Sequence, residues 1–126
     1  IGGTSVNVGN PHVVFFVDNI EDYDLKKIGP EIENHNYFPE KCNVTLAKVI
    51  SKKLIKVKVW ERGAGLTKAC GTAACATAVA ANINGLTDKK TDIEFALGNL
   101  SITIDQNNSI HMKGPVSDIT NIEINI

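Results

Sequence analysis

No stretch of the chain approaches the roughly 20 consecutive apolar residues that a membrane span requires, so no membrane segment is expected, nor a signal peptide ahead of the domain. An excess of either charge is also lacking: 13 Lys and Arg face 14 Asp and Glu, for a net charge of −1. That balance removes the electrostatic reason to expect nucleic acid or an anionic membrane as partner. Cysteine is scarce. The three present are an odd number, and none stands in a C-x-x-C pair. They fit neither a disulfide framework nor a zinc site, so a reducing cytoplasm is the expected setting and no metal is expected. Internal repeats and low-complexity segments are absent too. The first residue is Ile1, not Met, and further residues are expected upstream.

What is there suffices for one domain spanning residues 1–126, long enough to bury a core. Its chemistry concentrates between Glu61 and Gly85, ERGAGLTKACGTAACATAVAANING. The first half is Gly-rich and carries Glu61 and Arg62. From Thr72 to Asn82 there is no charge and mostly Ala, which predicts a loop feeding a buried helix. Thr72 is an N-cap type of residue, and Gly85 is suited to the left-handed conformation that ends helices. Cys70 directly precedes this helix. Helix starts carry unpaired N–H groups and partial positive charge, which favour a thiolate and bind carboxylates.

Around it, residues 1–9 read as a linker entering a strand, and Val13–Val17 as a buried strand following Gly9-Asn10-Pro11-His12. Residues 24–34 predict a helix interrupted or restarted at Gly29-Pro30, and Phe38-Pro39-Glu40 a turn. Asn43–Ser51 and Leu54–Glu61 alternate and predict an antiparallel hairpin. Thr91–Leu97, Leu100–Asp105 and Ser109–Lys113 predict further strands, with turns at Gly98-Asn99 and at 106–108; Asn121–Ile126 alternates again. The expected architecture is α+β, mainly antiparallel strands wrapped around one apolar helix.

Among side chains able to do chemistry, Cys70 leads because of its place at a Gly-flanked helix start. Cys75 lies inside the Ala-rich helix and is expected in the core, and Cys42 lacks an electropositive neighbour in sequence. His12 precedes a buried strand. Glu61 adjoins Arg62 and the glycines Gly63 and Gly65, which let backbone approach a ligand closely. His35 and His111 show no partner pattern, and Lys52-Lys53 and Lys89-Lys90 read as solvated turn charges.

Together these segments resemble the diaminopimelate epimerase family, specifically its C-terminal half. The resemblance runs through Gly9-Asn10-Pro11-His12, Ile28-Gly29-Pro30, Phe38-Pro39, Asn43-Val44, Trp60 to Gly65, Thr67, Ala69 to Thr72 and Gly114-Pro115. It implies a cofactor-independent 1,1-proton transfer between LL- and meso-diaminopimelate, on the route to lysine and peptidoglycan. Two similar domains each contribute one cysteine; one thiolate removes the α-proton while the other thiol donates to the opposite face. By resemblance Cys70 is the C-terminal cysteine, and His12 and Glu61 position or tune the thiols. Asn10, Asn43, Arg62 and the Glu61 backbone hold the distal end of the substrate, while Gly71 and Thr72 receive its α-carboxylate. The chain departs from the family's usual residues at Ala73, Leu66 and Cys42. The implied partners are diaminopimelate and an N-terminal domain that this sequence lacks, without which it is expected to be inactive; a homodimer is compatible. The alternatives from the residues are a proline- or hydroxyproline-type racemase, a Cys-His hydrolase using Cys70 and His12, or a non-enzymatic domain.

Overall fold

The computed structural model describes residues 3–33, 42–61, 65–67, 71–96, 98–114 and 124–125. Among them, nine strands form one mixed sheet, joined by two α-helices and a 3-10 turn at Ile20–Asp22. The strands are β1 (Gly3–Asn7), β2 (Pro11–Phe16), β3 (Asn43–Ser51), β4 (Leu54–Glu61) and β5 (Gly65–Thr67), then β6 (Lys90–Phe95), β7 (Gly98–Ile104), β8 (Ser109–Lys113) and β9 (Ile124–Asn125). The order across the sheet is β1-β2-β3-β4-β6-β7-β8-β9, with β5 paired to β4. Most neighbours are antiparallel, but β2–β3 and β4–β6 run parallel, as connections that pass through a helix allow.

Each of those two crossovers carries one helix. The first holds α1 (Leu25–Glu33), the second α2 (Gly71–Ile83). They serve opposite faces of the sheet. Alternation along β4 sends Ile55, Val57 and Val59 into a cluster with Ala73–Ala81 of α2, and Trp60 into another with Leu25, Ile28 and Ile32 of α1. Helix α2 is buried all round from Ala73 to Ala81. It packs on β1, β2 and β3 and also on β6, β7 and β8. A flat sheet could not reach one helix from strands so far apart; the sheet is curled.

Several local expectations need correction. Residues 3–7 are not linker but edge strand β1, because Val6 and Val8 bury on α2 and Gly3 lies against Val13 and Phe15. Helix α1 is unbroken at Gly29-Pro30. Asp24 caps it, its Oδ1 accepting from Lys26 N at 3.2 Å. A proline inside a helix costs about 3 kcal/mol. Burying Leu25 fully and Ile28 and Ile32 in part recovers more, at about 1.5–3 kcal/mol for each fully buried side chain. The glycine-rich segment after Glu61 contains β5, whose Gly65 pairs with Glu61. Phe95 pairs with Gly98 and Glu94 with Asn99, so Gly98 and Asn99 belong to β7 and are not the turn. Helix α2 starts at Gly71, so Thr72 sits in its first turn and is not the cap. His111 has a partner after all: its Nε2 lies 2.9 Å from Asp105 Oδ2. The turn expected at Phe38–Glu40, along with His35, lies outside the described residues.

The C-terminal end of α2 follows the sequence expectation. Gly85 has φ of 71°; Leu86 N donates to Ala81 O at 2.9 Å and Gly85 N to Asn82 O at 3.0 Å, a Schellman closure. Cys75 and Cys42 are both buried, the first in the α2 cluster and the second in the α1 cluster.

Candidate functional site

The register of three neighbouring strands gathers His12, Asn43 and Glu61 at one end of the sheet. His12 on β2 pairs with Asn43 on β3. On β4, Trp60 pairs with Val44, so the next residue, Glu61, comes level with Asn43. Alternation then decides the face. Val14, Ala47 and Val59 belong to the α2 cluster, and His12, Asn43 and Glu61 are an even number of residues from each in turn. All three side chains are therefore on the α2 side. With strands about 4.8 Å apart, they span on the order of 10 Å.

Local hydrogen bonds fix two of them. His12 is 1 % exposed, and its Nε2 lies 3.0 Å from Asn10 Oδ1. Asn43 is 2 % exposed and donates from Nδ2 to Pro11 O at 3.2 Å. The Asn10-Pro11-His12 turn is thereby tied to both its own strand and the next. Glu61 is half-buried at the end of β4, held between β3 and β5.

Helix α2 begins at Gly71, which lies against Met112 of β8. Its other end reaches Thr4, to whose Oγ1 Asn84 donates at 3.0 Å, and Thr4 pairs with Val14. Only positions 68–70 separate Thr67, paired with Val59, from Gly71, a gap of at most about 14 Å. Gly71 and Thr72 are half-buried, whereas Ala73 onward is buried. Cys70 and Arg62, two of the expected site residues, lie outside the described residues; by sequence Cys70 is the residue before Gly71 and Arg62 the one after Glu61.

A profile of the family described as diaminopimelate epimerase matches residues 4–119. The chain belongs to the diaminopimelate epimerase family. It is 77 % identical over its full 126 residues to the diaminopimelate epimerase of Pelagibacter ubique (strain HTCC1062), covering 46 % of that protein. Against the diaminopimelate epimerase of Bartonella quintana (strain Toulouse), identity is 50 % over 111 residues, 87 % of this chain and 39 % of the relative. The chain spans about half the length of the curated relatives it matches. This is an isomerase family of amino-acid, specifically lysine, biosynthesis.

Two solved structures share the fold of this family member. One is a phenazine biosynthesis protein of the PhzF family from Bacillus anthracis (TM-score 0.57, 18 % identity, 84 % of this chain and 34 % of that one). The other is a putative phenazine biosynthesis PhzC/PhzF protein from Clostridium difficile (strain 630), with TM-score 0.59, 21 % identity, and coverage of 82 % and 37 %. At that identity the likeness concerns the fold alone.

The structure brings His12, Asn10, Asn43 and Glu61 to one edge. A groove lined by Ile20, Lys56, Lys58, Glu94, Phe95 and Asn99 lies elsewhere and shares no residue with that edge. Two neighbours of the site were not placed by the sequence alone. Trp60 and Cys42, each adjoining a site residue, project to the opposite face and pack on α1; strand alternation alone carried that signal.

Proposed function

We propose that the chain is the C-terminal half of a diaminopimelate epimerase and carries one side of a cofactor-independent proton transfer between LL- and meso-diaminopimelate. Residues 1–126 act as one domain, with the apolar helix α2 as the hub of its curled sheet. Cys70 is the thiol of this half, and the second thiol comes from the other half. One sulfur, as thiolate, takes the α-proton and becomes S–H; the C–H electron pair passes to the α-carbon and its carboxylate. The other thiol gives its proton to the opposite face and is left as thiolate. Nothing is oxidised, and the pair ends with its roles exchanged.

An amino-acid α-proton is weakly acidic, so the carbanion needs help that no cofactor supplies here. The first turn of α2, at Gly71 and Thr72, offers N–H groups outside the intrahelical ladder to the α-carboxylate. His12 and Glu61 hold and tune the thiols. Asn10, Asn43, Arg62 and the Glu61 backbone take the distal end, where a guanidinium suits a carboxylate. The observation that carries this reading is the alignment of His12, Asn43 and Glu61 on the α2 face, beside a helix whose first residue follows Cys70.

The test uses this chain joined to the remaining part of the Pelagibacter ubique relative. Incubated with LL-diaminopimelate in deuterium oxide, the joined protein is expected to form the meso isomer with deuterium at the α-carbon. Epimerisation without deuterium uptake, or no epimerisation at all, would sink the reading.

A further inference from the structure

Three consecutive features tie the site to the far side of the sheet. Asn43 and Glu61 point to the α2 face, and the residues just before them, Cys42 and Trp60, point to the α1 face. Both touch α1. Cys42 Sγ lies 4.0 Å from Ile32 O. Trp60 lies directly against Gly29, so closely that a Cβ at Gly29 would meet Trp60 Cγ at 2.5 Å, Cδ2 at 2.6 Å and Cβ at 2.9 Å. The third contact matters most, because a Cβ cannot rotate away as the tip of a side chain can. Any side chain at Gly29 must push α1 off the sheet or push the β4 backbone at Trp60 toward α2. His12 has the same arrangement in weaker form, since Val13 packs in the α1 cluster.

We propose that α1 is the backing of the site: Gly29 and Trp60 are a positioning pair that fixes the end of β4, and with Cys42 the start of β3, so that Asn43 and Glu61 keep their places. The inference rests on the proposed epimerase reading for its kinetic consequence, though not for its structural one. Helix α1 touches β3, β4 and β5, the three strands that frame Glu61. Glycine at position 29 is required here by close approach, not by an unusual backbone angle. An indole at Trp60 supplies a flat surface wide enough for a helix to rest on. The substrate never touches this pair; its effect passes through one peptide bond on each strand.

The test compares Gly29→Ala with Ile104→Val, a core change on β7 remote from α1. Amide hydrogen exchange on the 126-residue chain needs no substrate. Gly29→Ala is expected to speed exchange at 42–44 and 59–61 beyond its effect on the rest of the sheet, whereas Ile104→Val speeds all of it alike. In the joined protein, Gly29→Ala is expected to raise KM for LL-diaminopimelate about tenfold with kcat changed less, the pattern of lost ground-state binding; Ile104→Val leaves both near the parent values. If Gly29→Ala does not fold, Trp60→Leu removes the indole from the other side and is expected to give the same local exchange and KM effects. Uniform exchange changes, or an unaltered KM with a folded variant, overturn the proposal. A parent protein without epimerase activity overturns the functional reading instead, and exchange alone then decides whether α1 backs the site.

Discussion

Cysteine reactivity separates the three thiols sharply. Cys42 and Cys75 are 0 % and 1 % exposed and sit in the two hydrophobic clusters, where burial blocks access to a reagent. Cys70, preceding the start of α2, is expected to react first with iodoacetamide near neutral pH; peptide mapping that found Cys42 or Cys75 modified earlier would refute this. Arg62→Lys in the joined protein is expected to lower kcat/KM about ten- to a hundredfold, since a charge-assisted contact of this kind contributes roughly 1.5–3 kcal/mol. Steady-state kinetics showing no change would mean that Arg62 does not meet substrate. The candidate site was drawn from local signals and a family resemblance: glycine, a helix start and a charge lie within a few positions, whereas His12, Asn10 and Asn43 were named by the resemblance. Asp105 and His111 were not, since a six-residue separation becomes contact only once β7 and β8 pair. The His111 ring, then the Ser109 and Asn107 N–H groups, hold the Asp105 carboxyl below its ordinary 3.8 despite some opposing desolvation. A depressed carboxylate pKa stabilises the fold above the unfolded value and loses that contribution as pH falls through the folded value. Urea unfolding from pH 5 downward is therefore expected to show a smaller acid-induced loss in Asp105→Ala than in the parent; equal losses would contradict it.

Among the elements, helix ends were easier to read than strand edges. Gly85 announced the end of α2 because only glycine adopts φ of 71° without strain. Gly85→Ala meets no atom within 4 Å, so its cost is conformational, about 1 kcal/mol. That corresponds to a midpoint lowered by about 4 °C in a thermal melt; an unchanged midpoint would show that the backbone relaxes out of the left-handed region. Strand β1 escaped notice because Gly3–Asn7 carries a single buried side chain, Val6, and an edge strand needs only one paired side. Helix α1 hid its continuity behind Pro30, where packing outweighed propensity. Strand β5 is three residues long, too short for any period to appear.

At the scale of the molecule, the alternation of β3 and β4 already implied a hairpin with two faces, but not which neighbours would cover them. The parallel pairings β2–β3 and β4–β6 depend on where each helix crosses, and nothing along the chain states that choice. Those crossovers also fix an order in time. The β3–β4 hairpin closes across Lys52 and Lys53, whereas Val13 must find Val44 and Ile55 must find Ile93 across intervals that include a whole helix. Loop closure grows costlier with length, so the local hairpins β1–β2, β3–β4, β6–β7 and β7–β8 are expected to close before α1 and α2 dock, one on each face. The strands that carry Asn43 and Glu61 thus belong to a hairpin that needs neither helix in order to close.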